Sequence, residues 1–246
     1  MNPADRPIPE PKLIFLDAVG TLFGLRDSVG ETYGNIAKKW GVDVPAKPLD
    51  RAFFDAFSAA PPMAFPDADI SDIPRLEFEW WLDVAARSFK AVEAFDKFPN
   101  FSEFFVDLYE EFATAKPWIV YSDVIPSLNK WRDRGIELAV LSNFDSRLYP
   151  VLNALGLAPY FSGITISTAV GAAKPDPKIF AIALEKYDLS PPQVLHIGDS
   201  LKADCEGAKA AGIPAIWIDR DGENNPPTYP SDLRRCTTLA EIKLSR

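Results

Sequence analysis

The sequence contains little cysteine and no long apolar run. Its two cysteines, Cys205 and Cys236, are too few for a disulfide framework and fit a reducing compartment. Residues 1–12 are proline-rich and polar, unlike a signal peptide, and no apolar stretch is long enough to cross a bilayer. We therefore expect a cytoplasmic protein that has no membrane-spanning segment.

Positive charge is also scarce. The chain has 26 Lys and Arg residues against 35 Asp and Glu residues, which gives a net charge of −9. Surfaces that bind nucleic acids or anionic membranes need a basic face, so we expect neither partner. A small phosphorylated metabolite can still be held by a local group of cations. We expect the chain to be a monomer or a weak dimer.

What is present is ordinary for a globular protein. Of the 246 residues, 47% are apolar and 25% are charged, so a core of normal size can form. This length suits one α/β domain, or one such domain that carries an insertion.

A buried strand is predicted at residues 12–17, where four apolar residues lead directly into Asp17. Continuous apolar strands are typical of parallel sheets, and ligands bind at the carboxyl ends of such strands. Asp17 is therefore either a nucleophile and metal ligand or the cap of a turn, held by an Asx hydrogen bond to its own backbone.

Four apolar stripes at helical spacing follow this strand. Ser28 and Glu31 form a capping box at the start of the first stripe, and no buried-strand pattern interrupts the series. We predict an all-helical cap domain over 25–116, inserted into an α/β core domain made of 12–24 and 117–246. Its aromatic residues are interpreted as the core of the cap, and a substrate-lining role for some of them is the alternative.

The chain crosses between cap and core at residues 22–26 and 116–117. We expect these two crossings to act as hinges that let the cap open and close over the carboxyl ends of the core strands. Substrate specificity would lie in the cap. Its candidate substrate-contacting cations are Arg26, Arg51, Arg75 and Lys90.

From Pro117 onward, strand patterns alternate with helix patterns, and Asp176-Pro177 is a typical helix start. This alternation predicts a doubly wound parallel sheet, a Rossmann-like α/β fold with helices on both faces. The later predicted strands are 137–141, 164–167, 194–198 and 214–218.

Polar residues follow the strands of this predicted sheet. Ser142 and Asn143 end one strand, Lys174 lies in the loop after the next, and Asp199 ends another, with Asp204 about one helical turn further on. Each residue alone has an ordinary structural explanation as a turn, loop or cap residue. Together they would meet in one crevice, because a parallel sheet brings these strand ends to one edge.

This set of side chains suits phosphoryl transfer through an aspartyl-phosphate. Asp17 would attack phosphorus, and Asp17 and Asp199 would hold Mg²⁺ together with the backbone carbonyl of Val19. Asp204 would orient metal-bound waters. Lys174 and Ser142 would bind phosphoryl oxygens, with Asn143 beside them in the substrate-binding group.

Two other residues that carry chemistry have simpler explanations. His196, the only histidine, lies inside a predicted strand and is interpreted as a core residue, with a role as general acid–base as the alternative. Cys205 follows Asp204 on a helix and is interpreted as a small buried hydrophobe.

At this point the chain resembles the haloacid dehalogenase-like hydrolase superfamily, subfamily IA. The matching segments, in the family's order, are Asp17–Leu22, Leu141–Asn143, Lys174-Pro175 and Gly198–Asp204. The stretches 142–148 and 170–180 are similar to the branch typified by rhythmically expressed gene 2-like proteins. The resemblance covers nearly the whole chain and implies a Rossmann-like core, a helical cap and an Asp nucleophile.

One departure from the family's pattern affects the expected activity. Phosphatases of the family carry a second aspartate two residues after the nucleophile, where this chain has Val19. That aspartate protonates the leaving group and then activates water, so its loss is expected to cost about 10²–10⁴-fold in rate. The family's dehalogenases also lack it, but they do not need the Asp199 and Asp204 pair.

We therefore expect a Mg²⁺-dependent phosphatase-type hydrolase that is attenuated by Val19. One alternative is a catalytically weak protein on the same scaffold that binds a phosphate ligand or regulates a partner. The other is a 2-haloacid dehalogenase, which would release halide without a metal.

Overall fold

The structure is a computed structural model that describes residues 8–220, 222 and 233–245. In chain order the strands are β1 (Leu13–Leu16), β2 (Phe23–Leu25), β3 (Trp118–Val120), β4 (Glu137–Ser142), β5 (Gly163–Ile166), β6 (Val194–Gly198), β7 (Ala215–Ile218) and β8 (Arg234–Cys236). The α-helices are α1 (Val29–Lys39), α2 (Ala46–Ala59), α3 (Ile73–Ala91), α4 (Phe101–Glu111), α5 (Val124–Arg132), α6 (Leu148–Ala154), α7 (Ser167–Val170), α8 (Pro177–Glu185) and α9 (Gly207–Ala210), and a π-helical turn at Leu201–Glu206 precedes α9.

The main sheet is parallel and, within the described residues, has six strands in the order β5-β4-β1-β6-β7-β8. Strand β1 lies between β4 and β6, and all four of its residues are fully buried. Ile14 and Leu16 pack into one apolar cluster, whereas Leu13 and Phe15 pack into another. Successive side chains of a strand point to opposite faces, so the two clusters lie on the two faces of the sheet. Helices contribute to both clusters and therefore cover both faces, which confirms the predicted fold class.

Four helices, α1 to α4, lie between β2 and β3, and we call them the helical insert. They share an apolar cluster rich in Phe, whose members run from Val29 to Leu108. The capping box of Ser28 and Glu31 forms as predicted at the start of α1. The domain boundaries at 25–116 stay a prediction.

A two-stranded antiparallel ribbon joins the insert to the rest of the chain. Strand β2 enters the insert, β3 leaves it, and Phe23 pairs with Val120. The backbone N–H of Arg26 donates to the carbonyl of Pro117 at 2.8 Å, and the Arg26 guanidinium donates to the carbonyl of Trp118. This ribbon was not predicted from the sequence, because strands of three residues are too short to show the alternation of apolar and polar residues that marks a strand.

Strand β8 was not predicted from the sequence, and it precedes a 3₁₀ turn at residues 239–241. The Asp123 side chain, at the start of α5, accepts hydrogen bonds from Arg220 and from the backbone N–H of Leu239, and so connects α5 to this turn.

None of the helices in the described part of the chain combines the length and the apolar character needed to cross a bilayer.

Candidate active site

Asp17 lies at the carboxyl end of β1, in a turn that aims its side chain at the sheet edge. The backbone N–H of Asp17 still donates to Ile197 of β6 at 2.9 Å, and the turn is closed by the N–H of Leu22 on the carbonyl of Ala18. The Asp17 carboxylate accepts a hydrogen bond from Lys174 Nζ at 2.7 Å. Backbone bonds thus close the turn, and the carboxylate pairs with a cation.

Lys174 is buried and connects two carboxylates. Its Nζ donates to Asp17 Oδ1 at 2.7 Å, to Asp204 Oδ1 at 2.6 Å and to the carbonyl of Leu141 at 2.8 Å. Burial by itself lowers the pKa of Lys174, but the charges of Asp17 and Asp204 outweigh it and raise that pKa above its ordinary value. Lys174 is therefore a fixed cation with all three donor positions used.

Asn143 fixes the loop that carries this lysine. Its Nδ2 donates to the carbonyl of Lys174 at 2.8 Å, and its Oδ1 accepts from the backbone N–H of Lys174 at 2.7 Å. The amide of Asn143 is thus used to position Lys174, and a contact with substrate stays a prediction. Ser142, at the end of β4, is buried beside Asp17, and its hydroxyl acts to lower the pKa of that carboxylate.

Asp204 is fully buried behind the lysine. Its Oδ1 also contacts Nε2 of His196 at 2.8 Å, and its Oδ2 accepts from the backbone N–H of Ser200 at 2.9 Å. Burial alone would raise the pKa of Asp204, but the charge of Lys174 and the hydrogen bond from His196 lower it. A Cβ on Gly198 would lie 2.1 Å from Asp204 Cγ, so glycine is required beside this carboxylate.

The interpretation of His196 as a core residue fits its position. The ring is fully buried in β6, packs edge-on against Phe180, and contacts Asp204 rather than the cavity. His196 Nδ1 is buried and has no hydrogen-bond partner among the described atoms. Cys205 is buried as well, and burial raises the pKa of its thiol.

Asp199 completes a group of three carboxylates. One oxygen of each of Asp17, Asp199 and Asp204 can be chosen so that all three lie within 4.8 Å of one another. Asp199 still contacts solvent through the cavity, but its enclosure and the like charges of Asp17 and Asp204 raise its pKa to about 8. Burial likewise raises the pKa of Asp17, against the opposing charge of Lys174.

This group fits a hard divalent cation. The Lys174 ammonium pairs with two of the three carboxylates, so negative charge is in excess, and carboxylate oxygens are the donors that Mg²⁺ prefers. A Cβ on Gly20, which has φ +81°, would lie 2.3 Å from Asp199 Oδ2, so glycine keeps this space open. We call Asp17, Ser142, Lys174, Asp199 and Asp204 the sheet end of the site.

A cavity of about 550 Å³ extends from the sheet end into the helical insert. Val19 lines it beside Asp17 and is partly exposed there. Aromatic side chains dominate the opposite wall, which we call the helical end. Its main members are Tyr33, Phe53, Phe54, Phe57, Trp81, Phe105, Leu108, Tyr109 and Phe112.

Among the described residues, the helical end has one cation, Arg147, which was not predicted as a site residue from the sequence. Its Nε donates to Asp145 Oδ1 at 2.9 Å and its Nη2 to Asp145 Oδ2 at 2.6 Å, so the pair is bidentate. Its guanidinium also lies 3.8 Å from the ring centre of Tyr109. The Ser146-Arg147-Leu148 stretch gives no periodic signal, and only the approach of α3 and α4 places Arg147 at the cavity.

The four cations proposed from sequence lie elsewhere. Arg26 binds the ribbon, and the exposed Arg75 pairs with Asp72 and Glu79. Lys90 lies over the ring of Phe95, and Arg51 is exposed. None of them is among the described residues that line the cavity, so the proposed substrate contacts are not supported by their positions.

A second polar contact between insert and core involves Glu77 of α3. Its side chain is fully buried and accepts from the backbone N–H of Ser146 at 3.0 Å, from the Thr168 hydroxyl at 2.5 Å and from the Ser146 hydroxyl. Beside it, Trp81 Nε1 donates to Asp145 Oδ2 at 2.6 Å. Two side chains of α3 are therefore hydrogen-bonded to the loop before α6.

Comparison with known proteins identifies the family. The family model described as haloacid dehalogenase-like hydrolase matches residues 11–212. The chain is 36% identical to haloacid dehalogenase-like hydrolase domain-containing protein 3 of Mus musculus, over 84% of this chain and 81% of that protein. It is 31% identical to the rhythmically expressed gene 2 protein of Drosophila melanogaster, over 82% and 80% of the two chains.

Solved structures agree with the fold. A haloacid dehalogenase-like phosphatase from Thermococcus onnurineus superposes with a TM-score of 0.61 at 25% identity, over 94% of this chain and 95% of that one. An L-2-haloacid dehalogenase gives a TM-score of 0.67 at 19% identity, over 95% and 97%, and this likeness concerns the fold alone.

Proposed function

Because the chain belongs to the haloacid dehalogenase-like hydrolases, we propose that it is a phosphomonoester hydrolase with Asp17 as nucleophile. The observation that carries this proposal is the sheet end, where Lys174 Nζ bridges Asp17 and Asp204 while Asp199 completes a ring of carboxylates. A phosphoryl group and a divalent cation together suit this mixture of one ammonium and three carboxylates.

The first step is attack by a carboxylate oxygen of Asp17 on phosphorus. Lys174 holds Asp17 Oδ1 in place, and the Ser142 hydroxyl, beside Asp17, is placed to donate to a phosphoryl oxygen. The bond from phosphorus to the leaving oxygen breaks, and Asp17 carries the phosphoryl group as a mixed anhydride. Water then attacks that phosphorus, releases inorganic phosphate and restores the carboxylate.

Asp17 and Asp199, with the carbonyl of Val19, are the proposed ligands of Mg²⁺, and Asp204 orients this group from behind through Lys174. When bound there, Mg²⁺ would offset the repulsion between the carboxylates and the incoming phosphate dianion. The small phosphorylated metabolite expected from sequence is then the natural class of substrate.

The excess of carboxylates argues against dehalogenation. A haloacid brings its own carboxylate, which a group of three carboxylates and one lysine would repel, and a halide leaves without needing a metal. The binding or regulatory alternative rests on a different observation, namely that Val19 stands two residues after Asp17, where a phosphatase of this family would have its acid–base aspartate.

Three measurements separate the three functions. The protein is incubated with acetyl phosphate, with or without Mg²⁺, and inorganic phosphate is measured together with acid-stable phosphate on the protein. We expect Mg²⁺-dependent phosphate release, because acetate needs no proton to leave. Mg²⁺ and phosphate binding by calorimetry without turnover would favour the binding alternative. Halide release from 2-chloropropionate without Mg²⁺ would favour the dehalogenase.

A further inference from the structure

The helical end of the cavity has few polar groups left for a substrate. The indole Nε1 of Trp81 is already bonded to Asp145, and that of Trp118 to the carbonyl of Phe112 at 3.2 Å. Apart from the hydroxyls of Tyr33 and Tyr109, the wall residues named above offer no polar side-chain atom that is not already bonded. Most hydroxyls of a sugar placed here would therefore lose water without gaining a partner, each at a cost of roughly tenfold or more in affinity.

Charge at the helical end is also balanced. Arg147 and Lys174 are the cations among the described residues that line the cavity, and both are held by carboxylates. Arg147 is fixed on Asp145 through Nε and Nη2, so it does not offer a free fork to a second phosphate or a carboxylate. The part of the substrate beyond its phosphate is therefore expected to be uncharged.

Acids occur only at the other end. Among the described lining residues they are Asp17, Asp199 and Asp204, all of which belong to the sheet end. Val19 lines the cavity beside Asp17, and a valine side chain cannot donate a proton to a leaving oxygen. Departure must then be possible without an acid, which favours a leaving oxygen that is stable as an anion, such as a phenolate.

Resting on the proposed phosphatase chemistry, we infer that the substrate is an aryl phosphate monoester whose aromatic group packs against the helical end. Asp17 forms the bond to phosphorus while the phosphorus–oxygen bond to the aryl group breaks. The aryloxide keeps the electron pair and takes its proton from water. Hydrolysis of the aspartyl-phosphate by a second water completes the turnover.

The rim of the cavity leaves room for a large aromatic group. Phe54 and Phe57 line the cavity and yet remain 52% and 43% exposed, so the aromatic wall continues to the surface. Phe57 also stacks on Phe53 and Trp81, with ring centres 5.8 and 5.9 Å apart. A bicyclic leaving group would extend along this stacked row.

The test compares kcat/KM for phenyl phosphate and 2-naphthyl phosphate, whose leaving groups are of similar basicity. We expect the naphthyl ester to be preferred by roughly tenfold, because it buries more apolar surface. Glucose 6-phosphate is expected to be at least roughly a hundredfold worse than phenyl phosphate, because it needs both an acid and hydroxyl partners.

Two variants tie the preference to the cavity. Phe57→Ser is expected to lower the naphthyl-to-phenyl ratio by roughly threefold or more, since it removes a ring from the aromatic wall. Ile125→Ser is the matched control, because Ile125 is 40% exposed on α5 and does not line the cavity, and it should leave the ratio unchanged. The naphthyl-to-phenyl ratio of kcat/KM, measured within one preparation, is independent of the fraction of folded protein. Phe54→Ser repeats the test at a second rim position.

Acetyl phosphate separates this inference from the proposed function. It is small, and acetate leaves without an acid, so its hydrolysis reports the sheet end alone. If acetyl phosphate is hydrolysed while naphthyl and phenyl esters are equal, or while glucose 6-phosphate matches them, the aryl inference is wrong and the phosphatase remains. If acetyl phosphate is not hydrolysed, both are wrong.

Discussion

The two ends of one cavity are built on different principles. At the sheet end, the charged side chains of Asp17, Lys174 and Asp204 are held by hydrogen bonds, and Lys174 uses all three of its donors. At the helical end, the walls are rings that touch edge to face or stacked, such as Phe53 with Tyr33 and Trp81. Hydrogen bonds fix atoms to a geometry, whereas apolar packing selects by shape and area.

This difference separates reaction from selection. Changes at the sheet end should alter the rate for every substrate, because the same atoms meet every phosphate. Changes at the helical end should alter the order of preference among substrates. Variants at the two ends therefore test whether reaction rate and substrate preference are controlled separately.

Asp17→Asn should abolish turnover of every phosphate ester, by about 10⁴-fold or more, because an amide is a poor nucleophile toward phosphorus. Phosphate release and covalent phosphate on the protein are measured with acetyl phosphate and with 2-naphthyl phosphate. Both substrates should lose activity together. Retained phosphorylation of the variant would mean that another residue is the nucleophile.

Val19→Asp should raise kcat on alkyl phosphates by about 10²-fold, because it supplies the missing acid–base group at the leaving oxygen. The gain on aryl phosphates should be smaller, and the double variant with Asp17→Asn should be inactive. Val19 is partly exposed in the cavity, so the new carboxylate does not have to be fully buried. Unchanged alkyl phosphate hydrolysis, with the fold and Mg²⁺ affinity intact, would show that Val19 does not limit the enzyme.

Mg²⁺ affinity should increase with pH by up to about tenfold per unit below pH 8, and then level off. The pKa of Asp199 is raised to about 8, so a proton competes with the metal over this range. The same shift makes the metal-free fold less stable as pH rises from about 4 to 8, since the unfolded chain gives up this proton at lower pH. Titration calorimetry at pH 6, 7 and 8 measures the slope.

Asp199→Asn is the control, because it should weaken Mg²⁺ binding and flatten its pH dependence. Asp204→Asn should weaken binding less, since Asp204 already pairs with Lys174 and His196. Equal and negligible losses in both variants would mean that the sheet end is not a metal site.

Glu77→Gln should lower the free energy of unfolding by about 1–3 kcal/mol, because the amide places a donor against the donors of Ser146 and Thr168. For a chain of this length, that corresponds to a fall in Tm of roughly 2–4 °C per kcal/mol. Glu79→Gln is the matched control on the same helix, where an exposed ion pair with Arg75 is worth at most about 1 kcal/mol. Equal shifts in the two variants would contradict a structural role for the Glu77 contacts.

The sheet end was largely predictable from the sequence. Asp17, Ser142, Lys174 and Asp199 each follow a strand of a parallel sheet, and the topology of such a sheet brings these positions to one edge. It was predictable that these side chains would meet, but the individual hydrogen bonds between them were not predictable. That Lys174 bridges Asp17 and Asp204, and that Asn143 fixes Lys174, depends on loop conformations that a sequence pattern does not encode.

The helical end was less predictable. Its aromatic residues were recognised as apolar stripes, but the stripe pattern does not tell which rings face a cavity and which face the core of the insert. Glu77 was missed because its partners come from distant parts of the chain. Arg147 pairs locally with Asp145, but it was missed because tertiary packing brings it against Tyr109 of α4 and so to the cavity. The ribbon was missed because its pairing joins residues about ninety positions apart.

That ribbon has a consequence for how the gene could be rearranged. Because the N–H of Arg26 meets the carbonyl of Pro117, the polypeptide departs from the sheet and returns to it at a single point. A segment whose ends are adjacent can be exchanged for one of another size with little displacement of the chain on either side, provided that the new segment replaces the contacts that Glu77 and Trp81 make with the core. The nucleophile and its lysine could then be kept through recombination while the aromatic wall was replaced, so that new substrates become accessible in one genetic step.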